Sequence, residues 1–168
     1  MVHTQSELAQ SIAVAAHKGQ VDKAGRPYIE HPAHVASGVQ GDIAKAVAWL
    51  HDVVEDTLLT FADLRKRGVA PEVIEALKLL TRDKSVPYLE YVRSIKPNPL
   101  ARAVKLADLR HNSDLSRLPR ITEKDQRRVE KYAKAIAILE GEGQKAGSTR
   151  RKAATPCPHN TISMGQFR

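Results

Sequence analysis

Residues 42–57 read DIAKAVAWLHDVVEDT. Ala44, Val47, Ala48, Leu50, Val53 and Val54 put apolar side chains on most faces of a helix, and a helix that is apolar nearly all round belongs inside a core. The stretch predicts a central helix enclosed by others. Upstream, Leu8, Ile12, Ala15 and Ala16 recur at helical spacing, with Thr4 and Glu7 as a capping box and Gly19 as the exit, which predicts a first helix near 5–18. Residues 19–30, GQVDKAGRPYIE, carry two glycines and a proline and predict a loop, and Pro32 opens a short helix to about Gln40. Downstream, Thr60-x-x-Asp63 starts a short helix ending at Gly68, and Pro71 opens another that carries Val73, Ile74, Leu77 and Leu80. Tyr88 to Ile95 is one more. After Pro97-Asn98-Pro99, the spacing of Leu100, Val104, Leu106, Ala107 and Leu109 predicts a long helix to about Arg117. Thr122-x-x-Asp125 caps the last, with Val129, Tyr132, Ala133, Ile136 and Leu139 on its apolar face. No strand pattern exceeds three or four residues, so the expected class is all-α, a helical bundle in one domain over residues 1–140.

Composition narrows the function classes. At 42% hydrophobic and 27% charged residues the chain is globular rather than disordered or fibrous. No window approaches the ~18 apolar residues of a membrane helix, and the N-terminus lacks the basic start and continuous apolar middle of a signal peptide. A cytoplasmic location is the expectation. Cys157 is the single cysteine, which excludes an intramolecular disulfide and any multi-cysteine metal site. Metal chemistry must then use His and carboxylates. The net charge is +8, and Lys145, Arg150, Arg151, Lys152 and Arg168 against Glu142 place +4 of it on residues 141–168. That segment is rich in glycine and proline without periodicity and is expected to be a basic, flexible tail. The modestly basic body suits an anionic ligand such as a nucleotide. With aromatics at 4% and no nucleic-acid motif, nucleic acid is not expected as the main partner.

The segment His51-Asp52-Val53-Val54-Glu55-Asp56 carries the chemistry. Residues four apart share a helix face, so His51 is expected over Glu55 and Asp52 over Asp56, one imidazole and three carboxylates along one edge. Acids this close repel unless a cation sits among them. Taken alone, the segment fits a solvated acidic edge as well as a metal site. His31, beside Pro32, and Asp108, an acid inside the apolar run Val104-Lys105-Leu106-Ala107-Asp108, offer matching ligands from outside it. Two imidazoles and two carboxylates suit an octahedral metal such as manganese or iron better than a closed structural zinc site.

Five motifs in order then match a known family: HKGQ at 17–20, DKAGRPYIEHP at 22–32, AWLHDVVEDT at 48–57, VKLADLRHN at 104–112, and Arg128-Val129-x-x-Tyr132. From about His17 to Tyr132 the chain resembles the HD-domain metal-dependent phosphohydrolases, and within them the hydrolase domain of the RelA/SpoT family and its small stand-alone alarmone hydrolases. The resemblance implies that His31, His51, Asp52 and Asp108 hold one Mn²⁺, with other divalent ions as alternatives. It implies that Glu55 and Asp56 are the acidic pair that positions and deprotonates the attacking water. Asn112 would contact the metal shell or the ligand, Lys23 would line the nucleotide pocket, and Arg128 and Tyr132 would approach phosphates and sugar. His17 and His111 match family positions that support or pack rather than ligate, and Trp49 is expected in the core.

Two positions depart from the family. The residue before Lys23, commonly an arginine that stacks on guanine in the long bifunctional enzymes, is Asp22. An acid cannot supply that cation. The region near Tyr88 also lacks the lysine that some stand-alone members use for phosphate. The expected function is Mn²⁺-dependent hydrolysis of the 3′-pyrophosphate of a guanosine or adenosine alarmone (ppGpp- or ppApp-like), releasing pyrophosphate and a nucleoside 5′-di- or triphosphate. An alternative keeps the metal site for a phosphatase acting on NADPH or a nucleoside monophosphate. A third reading, of a different class, is a nucleic-acid-associated or regulatory protein that uses the basic tail. The expected partner is an anionic nucleotide, with no membrane, and a homo-oligomer is compatible with the sequence.

Overall fold

A computed structural model describes residues 4–118 and 120–141, and residues 142–168 of the segment read as a basic tail, Cys157 among them, lie outside them. The described chain runs α1 (Gln5–Ala16), α2 (Glu30–Ser37), α3 (Asp42–Leu50), α4 (Val53–Asp56), α5 (Phe61–Lys66), α6 (Pro71–Leu80), α7 (Tyr88–Ile95), α8 (Pro99–Ser113), a 3₁₀ turn (Leu115–Arg117) and α9 (Glu123–Glu140). Among the described residues the only β-type pairing is the isolated bridge between Val21 and Pro27.

α3 is the hub. Ala46, Val47 and Ala48 are three consecutive residues with no exposed surface. Three successive positions on a helix point about 100° apart, so neighbours must cover the helix on every side. α1, α2, α6 and α8 do so, and α9 closes the far side by packing on α8 and α7. Alanines at 44, 46 and 48 keep α3 thin and let these neighbours approach closely. Leu50 and Val53 seal its C-terminal end, both fully buried. Burying a leucine of this kind contributes roughly 1.5–3 kcal/mol.

The helix ends follow local chemistry. Thr4, Thr60 and Thr122 each form a reciprocal capping box, with Glu7, Asp63 and Asp125 respectively. Asn98 caps α8, and prolines open α6 and α8. Gly41, at φ +88°, turns the chain into α3 through a backbone conformation that a side chain would strain.

The structure divides the predicted central helix. α3 stops at Leu50, His51 and Asp52 form a turn, and α4 resumes at Val53. His51 Nδ1 lies 2.7 Å from the Ala48 carbonyl oxygen, the acceptor that the Asp52 N–H would take if the helix ran on. A side chain competing for a backbone acceptor is a local cause of such a break. Two further ends differ from the sequence pattern. α2 begins at Glu30, two residues before Pro32, and α8 stops at Ser113, where Asp114 accepts from Ser116 and starts the 3₁₀ turn instead.

Candidate metal centre and adjoining clefts

The break in α3 aims two consecutive side chains at one point. His51 Nε2 lies 3.1 Å from Asp52 Oδ2, 3.2 Å from His31 Nε2 and 3.9 Å from Asp108 Oδ1. His31 Nε2 in turn is 3.5 Å from Asp52 Oδ2 and 3.3 Å from Asp108 Oδ1. His31, from α2, and Asp108, from α8, are buried with His51, so three separate elements supply four converging atoms. Spacings of 3.1–3.9 Å are those of neighbouring ligands around an ion whose bonds are near 2.1–2.3 Å.

The donor chemistry decides what fits between them. The contact of His51 Nδ1 with the Ala48 carbonyl requires Nδ1 to carry a proton, so the neutral ring turns the Nε2 lone pair inward. His31 Nδ1 lies 2.7 Å from Nδ1 of buried His111, one ring nitrogen donating to the other, which fixes the ring and leaves Nε2 facing the same point. With His31 Nδ1 donating to His111, two lone pairs and two carboxylate oxygens face one another, an arrangement that calls for positive charge. The titration of His51 reports the same demand. Burial opposes its charging, yet the Asp52 and Asp108 carboxylates override it and raise the imidazole to about 9. Asp108 is pushed up by burial but held well below the usual carboxylate range by Lys105 and the two imidazoles. Asp52, likewise opposed by burial, is lowered to about 2, chiefly by His51. His31, His51 and Asp108 form a group able to hold a metal ion.

Neighbouring residues fix these ligands in place. Lys105, one turn before Asp108, donates to its Oδ2 at 2.8 Å, and Asn112, one turn after, donates to its Oδ1 at 2.6 Å. Tyr28 donates to Asp52 Oδ2 at 2.6 Å, and burial followed by the Asp52 charge raises its phenol well above the ordinary value, so it stays a donor. His17 is buried with its ring against Tyr28 at 5.0 Å and its Nδ1 2.7 Å from Gln20 Oε1. Trp49 is partly buried against the core.

The acidic pair sits differently from the sequence expectation. Glu55 is exposed, and its carboxylate accepts from the backbone N–H of Arg82 rather than facing the cluster's ligands. Asp56 lies at the rim on the Tyr28 side, and burial, then the Asp52 charge, raises its carboxyl. Both line one open cleft with Gln20 and Thr57; Asp56 lies in the field of Asp52 and His51, while Glu55 ties α4 to the loop after α6.

Two clefts open from the cluster. One, of about 300 Å³, is lined by Lys23, Tyr28, His31, Asn112, Arg128 and Tyr132 among others, so the four residues expected from the sequence to bind substrate line one cleft. Asp22 also lines it, but its Oδ1 accepts from the backbone N–H groups of Ala24 at 2.8 Å and Arg26 at 3.0 Å. That carboxylate holds the glycine-containing turn together. Arg128 pairs with Asp125 at 2.9 Å. The second cleft, of about 280 Å³, shares Tyr28, Asn112 and Tyr132 with the first and adds Asp52, Asp108, Lys105, Arg82, Tyr88 and Lys131.

No family profile matches the chain. Individual relatives do. It is 32% identical over 147 residues to the guanosine-3′,5′-bis(diphosphate) 3′-pyrophosphohydrolase MESH1 of Xenopus tropicalis, covering 79% of this chain and 82% of that protein. It is 34% identical over 145 residues to the MESH1 of Danio rerio, covering 78% and 80%. The chain belongs to the MESH1 family. The same family resemblance extends to the bifunctional (p)ppGpp synthase/hydrolase SpoT of Escherichia coli K12, 36% identical over 122 residues, although those residues span 17% of the length of SpoT. A solved structure, described as a metazoan ortholog of SpoT that hydrolyzes ppGpp and plays a role in starvation responses, superposes with a TM-score of 0.66 at 27% identity, covering 84% of this chain and 88% of that one. The helical fold is therefore the HD-domain fold of the MESH1 and RelA/SpoT hydrolases.

Sequence reasoning missed five residues of this MESH1-family site. Tyr28 and Lys105 were within sight: both lie inside the quoted motifs, and Lys105 stands three before Asp108, the spacing of one helical turn. Arg82, Tyr88 and Lys131 come from the loop after α6, the start of α7 and the middle of α9, and no linear spacing links them. Among the described residues no helix is long and apolar enough to cross a membrane.

Proposed function

We propose that the chain hydrolyses the 3′-pyrophosphate of a purine nucleotide of the ppGpp or ppApp type, releasing pyrophosphate and a nucleoside 5′-di- or triphosphate. The observation that carries this reading is the convergence of two inward-facing imidazole nitrogens and two carboxylates beside a cleft lined by Lys23, Asn112, Arg128 and Tyr132. Membership of a family whose named members are pyrophosphohydrolases supports it. Residues 1–140 would form this catalytic domain, with residues 141–168 dispensable for turnover.

His31, His51, Asp52 and Asp108 would hold the cation, and their mixed nitrogen and oxygen set suits Mn²⁺. A bound divalent ion would neutralise phosphate charge and lower the pKa of the attacking water. The chain's own residues do the rest. Asp56, with its carboxyl raised by burial and by Asp52, accepts the water proton. Glu55, fixed on the Arg82 N–H, sets the position of α4 and hence of Asp56. The water oxygen bonds to the phosphorus that carries the 3′ oxygen. The bond from phosphorus to O3′ breaks, its electron pair stays on O3′, and O3′ takes up a proton. Arg128 and Lys23 attract the anionic nucleotide into the first cleft, and Tyr132 lines its wall next to Asn112. Asp22, which stands where the family commonly carries a stacking arginine, is engaged in the loop backbone, so adenine and guanine are expected to be accepted alike.

The test is product analysis on purified protein with Mn²⁺, offering ppGpp, ppApp, NADPH and AMP in parallel. Pyrophosphate release from the first two, lost in Asp52→Ala, is the expected result. Orthophosphate release from NADPH or AMP alone would overturn the substrate assignment.

A further inference from the structure

The second cleft contains more positive charge than its carboxylates use. Of its cations, Lys105 is committed to Asp108 at 2.8 Å. Arg82 and Lys131 form no ion pair among the described residues; they stand instead against the ring of Tyr88, with the guanidinium carbon 5.4 Å and the ammonium 4.6 Å from its centroid. Arg82 spends one Nη2 hydrogen on the Val86 carbonyl at 3.0 Å. Its Nε and the Tyr88 hydroxyl are buried and without a hydrogen-bond partner among the described residues. Buried donors are almost always satisfied, and two orphans on neighbouring side chains of one cleft point to a missing acceptor. Burial raises the Tyr88 phenol to about 12, so near neutral pH it is a hydroxyl with a proton to give.

An acceptor that satisfies a guanidinium, an ammonium and a phenol together is an oxyanion with several oxygens, and a phosphate is the common one. The position of the cleft specifies which. It shares Asp52 and Asp108 with the metal cluster, and Tyr28, Asn112 and Tyr132 with the nucleotide cleft. Arg82, Tyr88 and Lys131 line the second cleft and not the first, so a group seated there lies across the shared residues from the nucleotide cleft, next to Asp52 and Asp108. We infer that Arg82, Tyr88 and Lys131 form a seat for the distal phosphate of the pyrophosphate group, the feature that would favour a two-phosphate over a one-phosphate substituent. The inference deepens the proposed function and rests on it for the direction of the substrate, while the anion seat itself is measurable without turnover. Lys131 is exposed on α9, and its ammonium and the Arg82 guanidinium both stand over the Tyr88 ring.

The experiment is calorimetric binding of inorganic pyrophosphate and inorganic orthophosphate to the full chain, for the parent and for Arg82→Ala, Arg82→Lys, Lys131→Ala and Tyr88→Phe. Arg127→Ala, on the same helix with its side chain exposed, controls for loss of a general positive charge. The parent is expected to prefer pyrophosphate. Arg82→Ala and Lys131→Ala should each weaken pyrophosphate by about 10-fold with orthophosphate little changed. Arg82→Lys should recover part of the loss, Tyr88→Phe should cost a few-fold, and Arg127→Ala nothing. Lys131 is a surface residue, so its substitution reports on the seat even if the Arg82 variants fold poorly. Pyrophosphate and orthophosphate weakened equally, or pyrophosphate unaffected by Lys131→Ala, would overturn the seat. If pyrophosphate binds as expected while no 3′-pyrophosphorylated nucleotide is turned over, the seat stands and the proposed reaction falls.

Discussion

Lys105 and Asp108 form an ion pair at 2.8 Å in which the lysine side chain is 16% and the aspartate 7% exposed. At an effective dielectric constant of about 20, two unit charges at that distance attract by roughly 6 kcal/mol. Desolvation of both groups offsets much of this, so the pair as a whole contributes little, yet removing the lysine leaves the buried carboxylate only the two imidazoles and the Asn112 amide, at a cost of about 3–5 kcal/mol. Lys105→Met keeps the aliphatic stem and removes only the charge. In urea denaturation of chelator-treated protein, we expect it to lose about 3–5 kcal/mol. Asp108→Asn should also destabilise, because it strands the lysine. The double variant Lys105→Met/Asp108→Asn should lose at least about 2 kcal/mol less than the sum of the singles, since no charge is then left unpaired. Additive losses, or a loss below about 1 kcal/mol for Lys105→Met, would refute the argument that Lys105 keeps Asp108 ionised for the metal.

Three other outcomes follow from the site. Tyr28→Phe removes the 2.6 Å hydrogen bond to Asp52 and should lower Mn²⁺ affinity by roughly 10–100-fold with the fold intact, read by metal titration; unchanged affinity would show that Asp52 needs no such support. Asp56→Asn should lower kcat by about 10²–10⁴ while metal still binds, and a variant that retains kcat would move the proton acceptor elsewhere. The raised His51 gives the chelated protein a stability term that is fully present below about pH 6.5 and lost as pH rises through about 9. Asp52, lowered to about 2, contributes above about pH 4 and loses that contribution as pH falls toward 2. Thermal melts of chelated protein should therefore peak between about pH 4 and 6.5 with respect to this pair, and a Tm that climbs from pH 6.5 to 9.5 would contradict the sign.

The sequence by itself determined the helical class, most helix starts and the identity of the four converging residues. Those features are local: a threonine and an acid three apart close a capping box wherever they stand, and an apolar surround identifies α3 as central before any neighbour is placed. His51 and Asp52 were legible because they are adjacent, and His31 and Asp108 because each sits conspicuously in its own short motif. The tertiary structure decided what depends on competition or on meeting across elements. Whether α3 runs on past Leu50 depends on the His51 ring taking the Ala48 carbonyl, and only the folded chain shows Glu55 held by the Arg82 backbone and Asp56 in the field of Asp52. Asp22 stands where the family commonly carries arginine, and only the folded loop shows its carboxylate spent on two backbone N–H groups. The grouping of Arg82, Tyr88 and Lys131 joins residues up to 49 positions apart through the packing of α7 on α9 and of α6 on α7. Periodicity reports which face of one helix is buried, but the partner brought to that face is fixed only when the helices pack.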